Sequence, residues 1–147
     1  MKYTVVVLLL IVSMPVFCQQ KMSAEPFKGA NVIVIRADST KSKDALFKLV
    51  GETLVDAGYT LDVSNREFYQ FKIGEYVMPK GYKLIYHFSA TIKASDIILR
   101  VTVHQDWRSG GDVPWTWVKA GITVFRAIHD DIVNKVKPLG KIGYAEM

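Results

Sequence analysis

GYKLIYHFSATIKASDIILRVTV, residues 81–103, decides the fold. Tyr82, Leu84, Tyr86, Phe88, Ala90 and Ile92 fall on one side of an extended chain, and Lys83, His87, Ser89, Thr91 and Lys93 on the other. The second half repeats the pattern, with Ile97, Leu99, Val101, Val103 and Trp107 against Arg100, Thr102, His104 and Asp106. Side chains of a strand alternate between faces, so this segregation predicts two antiparallel strands with one buried face and one wet face. A two-residue turn at Ala94-Ser95 would pair Lys93 with Asp96 and Lys83 with Asp106; a four-residue turn, Ala94 to Ile97, would set His87 opposite His104. Opposite charges across strands favour the first, although Ala-Ser is poor chemistry for so short a turn.

Working outward, Asn31 to Arg36 is short and β-branched, which predicts a strand with both faces at least partly covered. Asp38, Ser39, Thr40 and Ser42 then offer helix caps, and Leu46, Leu49, Val50, Leu54 and Ala57 recur at helical spacing up to Gly58. Tyr59 to Val63 and Glu67 to Ile73 alternate as strands around a turn at Ser64-Asn65-Arg66, with Tyr69, Phe71 and Ile73 on one face. After a polar loop over residues 106–112, Pro114 stands where a helix can start. Val118, Ile122, Phe125, Ile128, Ile132 and Val136 follow at helical spacing until Pro138 stops them. The order is β-α-β-β-β-β-α, and the expected fold is an α+β two-layer sandwich, an antiparallel sheet with two helices packed on its apolar face.

Four stretches, NVIVIRAD, DAGYTLDVSN, REFYQFKIG and GYKLIYHFSATIKASDIILRVTV, give the chain a likeness that covers about residues 29 to 136. In their order and spacing it resembles exported bacterial domains of unknown function with a TATA-binding-protein-like fold, and is similar in outline to the helix-grip domains of an outer-membrane assembly lipoprotein. The resemblance implies a scaffold; such families share the scaffold more than an activity.

The first residues carry an address. Val5 to Val12 is an unbroken apolar run behind Met1-Lys2-Tyr3-Thr4, broken at Ser13 and Pro15 and ending near Val16-Phe17-Cys18-Gln19. A bilayer span needs about 20 apolar residues, so residues 1–18 read as a signal peptide rather than an anchor. Cleavage after Cys18 leaves 129 of the 147 residues and, Lys2 being the only charge removed, takes the net charge from +5 to +4. The alternative is a lipoprotein anchored through Cys18, but Phe17 and Pro15 stand where such signals place a small and a branched residue. Residues 19–28 read as a flexible tether, 29–138 as a single domain and 139–147 as a C-terminal tail. The expected location is exported, periplasmic or secreted. Cys18 is the only cysteine, so no disulfide holds the domain.

The mild basic balance, with Lys41, Lys43 and Lys48 interleaved by Asp44 and Glu52, and Lys135, Lys137 and Lys141 near the end, reads as solvated surface. Export argues against a nucleic-acid partner. His87 and His104 fall on the wet side of the hairpin and His129 on the apolar stripe of the last helix, so the three cannot converge on one zinc. Ser109-Gly110-Gly111 lacks the glycine-flanked serine of a nucleophile elbow, and Asp112 and Pro114 follow where a phosphate loop needs lysine and a hydroxyl. Asp130 and Asp131 point about 100° apart on a helix and read as surface charge. No catalytic residue, metal or cofactor is expected.

What remains is aromatic. Trp107, Trp115 and Trp117 crowd around a loop that also holds Arg108 and Asp112, a composition suited to a protein interface or to stacking on a sugar ring. Trp107 continues the buried face, whereas Trp115 has the best claim to exposure. The competing reading is that the indoles fasten the loop and second helix to the sheet edge. The expected function is a non-enzymatic envelope protein, a protein-binding or assembly module using this loop or the open sheet face; the alternative is a glycan or small-ligand binding domain using the loop.

Overall fold

The computed structural model describes residues 22–78, 84–105, 111–117 and 123–147. It is a mixed α+β fold in which nine antiparallel strands form one sheet with two helices. In chain order the elements are β1 (Met22–Ser23), β2 (Val32–Arg36), α1 (Lys43–Asp56), β3 (Leu61–Asn65), β4 (Gln70–Ile73), β5 (Tyr76–Val77), β6 (Ile85–Lys93), β7 (Asp96–Gln105), β8 (Gly111–Pro114), α2 (Thr123–Val136), a 3₁₀ turn (Lys137–Leu139) and β9 (Lys141–Ala145). Strands run β1-β9-β2-β7-β6-β4-β3 across the sheet, with β5 added to β6 and β8 to β7.

The β6–β7 hairpin sets the register. Lys93 lies opposite Asp96, so the turn is the two-residue one that the charges favour. Ala94 takes it with φ of 52°, a left-handed conformation usually left to glycine or asparagine. His87 faces Thr102 and His104 faces Ile85; Lys83 and Asp106 lie outside the described residues. From this pairing Tyr86, Phe88, Ala90 and Ile92 on β6, and Ile97, Leu99, Val101 and Val103 on β7, join one buried cluster. Ile33 and Ile35 extend that cluster on β2, and Phe71 and Ile73 on β4. The helices meet the same cluster through Leu46, Val50 and Leu54 of α1 and Ile128, Ile132 and Val136 of α2. On β2 the other face is buried as well: Val32 and Val34 form a second cluster with Ile98 and Ala145.

Local chemistry fixes the first helix. The Ser42 side chain accepts the Ala45 N–H at 3.2 Å, capping α1. At the other end Gly58, with φ of 86°, lets the Tyr59 N–H return to the Leu54 carbonyl at 3.0 Å.

The nine strands replace the expected order β-α-β-β-β-β-α, and several boundaries differ from those the sequence predicts. Residues 139–147 are not a tail: β9 runs inside the sheet between β1 and β2, with Tyr144 and Ala145 buried. Gly140 makes this entry feasible, because a Cβ there would overlap the Arg36 carbonyl oxygen. The expected tether is partly structured, since Met22–Ser23 pairs with β9 and Phe27 packs on the core. Pro114 ends β8 instead of opening α2, which begins at Thr123; β8 pairs with β7 alone, a place where proline's missing N–H is tolerated. The turn between β3 and β4 covers residues 66–69 instead of Ser64-Asn65-Arg66, so Ser64 and Asn65 pair within the sheet and Tyr69, with φ of 48°, belongs to the turn, while Phe71 and Ile73 do share the buried face. Val118 and Ile122 of the predicted helical stripe, like residues 1–21, lie outside the described residues. No helix among the described residues is long and apolar enough to cross a membrane.

Candidate functional site

Of the three tryptophans, Trp115 and Trp117 are described, and both pack against the core. Trp115 is only 1% exposed, which reverses the expectation that it is the accessible indole. Residues 115–117 are not helical; Trp115 joins the core cluster and Trp117 packs against it. The Trp115 backbone N–H donates to the Val101 carbonyl at 2.9 Å and its indole Nε1 to the Phe125 carbonyl at 3.0 Å. Its ring stacks on His129 at 6.0 Å, and half-buried Trp117 meets the same imidazole edge-on at 5.0 Å. His129 is buried, as its place on the apolar stripe implies; it shares hydrogen bonds with Tyr144 Oη at 2.7 Å and Asp130 Oδ1 at 2.8 Å. The indoles and imidazole thus fasten α2 to β8 and β9. Trp107 and Arg108 lie outside the described residues.

A second polar cluster was not legible as such. Tyr86 Oη donates to Asp131 Oδ2 at 2.6 Å and shares a 2.8 Å hydrogen bond with Tyr59 Oη. Lys135 Nζ donates to the same carboxylate oxygen at 2.9 Å and lies 3.8 Å from the Tyr76 ring centre. Asp131 and Lys135 are therefore not the solvated charges expected: their side chains are 20% and 19% exposed. The only signal in the sequence was their i,i+4 spacing on a helix whose neighbours are apolar. Burial pushes the Tyr86 hydroxyl far above the ordinary phenol range, helped by Tyr59 and by its bond to Asp131. Burial raises Tyr59 too, against the opposing effect of its bond to Tyr86. Both phenols are held as protonated donors, the reverse of what a nucleophile or general base requires.

The polar face of the sheet is arranged differently. Lys72 on β4 faces Ser89 on β6, and Ser89 faces Arg100 on β7, so the three stand in one row across adjacent strands. Neighbouring rows hold Gln70 beside Thr91, and His87 beside Thr102. Gln70, Lys72, His87, Ser89, Arg100 and Thr102 line a groove of about 320 Å³. At its β8 end Asp112, which belongs to that strand and not to the expected loop, is exposed, holds His104 Nδ1 at 3.0 Å and lies 3.8 Å from His87 Nε2. Among the described residues no set of three His, Cys, Asp or Glu side chains is placed to hold a metal ion. His129 lies on the other face, where its partner Tyr144 stands opposite Ile33.

No protein-family model, no curated protein and no solved structure matches this chain.

Proposed function

We propose that the chain is an exported, non-enzymatic binding module of the cell envelope that engages its partner through the polar face of the sheet. One observation carries the reading. Tyr59-Tyr86-Asp131-Lys135 and His129-Asp130-Tyr144 bond to one another, with Tyr59, Tyr86 and Tyr144 buried, while the groove between β4, β6 and β7 presents its polar groups outward, with His87 in its lining and the His104–Asp112 pair at one end. An interior cluster whose hydroxyls are engaged holds a fold; a row of side chains on rigid strands can hold a partner. With Trp115 inside the core, that indole loses its claim to the working surface.

The same proposal includes a two-layer packing, both helices covering the apolar face in the manner of a helix-grip domain. It is supported by the single buried cluster that joins α1, α2 and the β6–β7 hairpin. Export, or anchoring through Cys18, stands on the apolar run Val5 to Val12.

The test is in-cell photocrosslinking from a light-activated residue at Ser89, compared with one at Glu52 on α1, whose side chain is 59% exposed. A discrete adduct from Ser89 alone is expected. Equal labelling from Glu52, or none from Ser89, would refute the polar face as the working surface. Intact mass of the protein recovered from the envelope fraction reports export, as a chain beginning at Gln19 or one acylated on Cys18; recovery at full length from the cytoplasm would refute it.

A further inference from the structure

We propose that the groove on the polar face binds a small anionic saccharide, a sugar carrying a phosphate or carboxylate group; this rests on the polar face being the working surface and names what it takes. Charge is the first argument. Lys72 and Arg100 flank Ser89 in one row, and no described carboxylate lies within ion-pair distance of either cation. The polar contact of Arg100 is to the Met147 sulfur at 3.4 Å, a weak acceptor that an anion would displace. Two cations with no counter-ion among the described residues, on a three-strand platform, favour an anion at a fixed place.

The groove's neutral lining is the second argument. Ser89, Thr102 and Gln70 supply hydroxyl and amide groups that both donate and accept. A bare inorganic anion is served by the two cations alone. The additional groups match a ligand that carries its own hydroxyls around the charged one. Size agrees: about 320 Å³ falls at the small end of ligand sites, which span roughly 300–1,000 Å³. Polarity along the groove gives an orientation. Asp112 lies beyond His87, so the anionic group belongs at the Lys72–Arg100 end and the ring toward Thr102 and His87.

The experiment titrates the isotope-labelled mature protein at low ionic strength with glucose 1-phosphate, glucuronate, inorganic phosphate, glucose and phosphatidylglycerol vesicles, following backbone amides by NMR. Glucose 1-phosphate or glucuronate should move the amides of Lys72, Ser89 and Arg100 and saturate, with inorganic phosphate at least tenfold weaker and glucose silent. Lys72→Gln with Arg100→Gln should weaken binding by about tenfold per cation, the scale of one charge-assisted hydrogen bond, and leave the remaining spectrum in place, because both side chains are exposed. No saturable shift with either sugar anion, or undiminished binding by the double variant, overturns the proposal. Inorganic phosphate binding as tightly as glucose 1-phosphate overturns the saccharide, and binding to the vesicles alone replaces it with a lipid headgroup. If sugar anions fail while Ser89 still crosslinks in cells, the ligand assignment falls and the working surface stands; failure of both removes the two together.

Discussion

Replacing Tyr86 by phenylalanine should destabilise the protein by more than replacing Tyr59, because the Tyr86 hydroxyl carries both bonds of the chain. Tyr86 is 0% exposed and its hydroxyl is the middle of a chain, donating to Asp131 at 2.6 Å and bonded to Tyr59 at 2.8 Å. Tyr86→Phe removes a bond to a charged acceptor, worth about 2 kcal/mol, and strands the Tyr59 hydroxyl in the core for about 1 kcal/mol more. Asp131 keeps Lys135, so the carboxylate is not left alone. The expected loss is about 3 kcal/mol, against about 1 kcal/mol for Tyr59→Phe, which leaves the Tyr86–Asp131 bond intact. With both replaced no hydroxyl is stranded, and the double variant should lose only about 2.5 kcal/mol, less than the sum of about 4. Urea unfolding followed by far-ultraviolet circular dichroism measures all four corners of this cycle. Additive losses, or a Tyr86→Phe loss under about 0.5 kcal/mol, would refute the linked chain of hydroxyls.

Trp115→Ala should cost about 3–5 kcal/mol, the range for emptying a buried aromatic site, and Trp117→Ala distinctly less, since Trp117 is only half-buried. Urea midpoints would show it, and a Trp115→Ala variant as stable as the parent would return that indole to the surface. Alkaline pH should loosen the fold. Burial raises the phenols of Tyr59, Tyr86 and Tyr144, so the native state keeps protons that the unfolded chain releases above about pH 10. The stabilisation is complete below that pH and is lost as pH climbs toward the folded values, by up to about 1.4 kcal/mol per pH unit for each phenol. A flat urea midpoint between about pH 9 and 11 would contradict this, and Tyr86→Phe should reduce the slope.

The hairpin was legible because its two faces differ in polarity at nearly every position. Tyr86, Phe88 and Ala90 could not sit where His87 and Ser89 do without exposing oil and burying an imidazole. Ile98 breaks the alternation and is buried, because Val34 lies beside it on β2. β9 was hidden because it is short and, while one face of Lys141–Ala145 is Ile142 and Tyr144, the other is Lys141, Gly143 and Ala145, with a single polar residue to mark a period of two. Its pairing with β2 also joins residues a hundred apart, Arg36 with Lys141, which no local pattern reports. Trp115 misled for a related reason: closeness to a polar loop says nothing about the direction in which the chain leaves β8. The groove is the least local feature of all, since Lys72 and Arg100 meet only through their separate pairings with Ser89.

That pairing is held from the opposite side of the sheet. The row beside Lys72-Ser89-Arg100 is Phe71-Ala90-Leu99, all buried, and Phe71 stacks on Phe47 of α1 at 4.3 Å. Gly51 on the same helix lies so close that an added Cβ would meet the Phe71 ring at 3.2 Å. A one-residue slip of β4 against β6 would push Lys72 under the helix and bring Phe71 to water, a change the core opposes far more strongly than any contact in the groove could compensate. The spacing of the cations is therefore fixed by apolar packing on the other face. The groove can keep two like charges near each other because their mutual repulsion is small, exposed and screened, whereas the register that sets them there is buried.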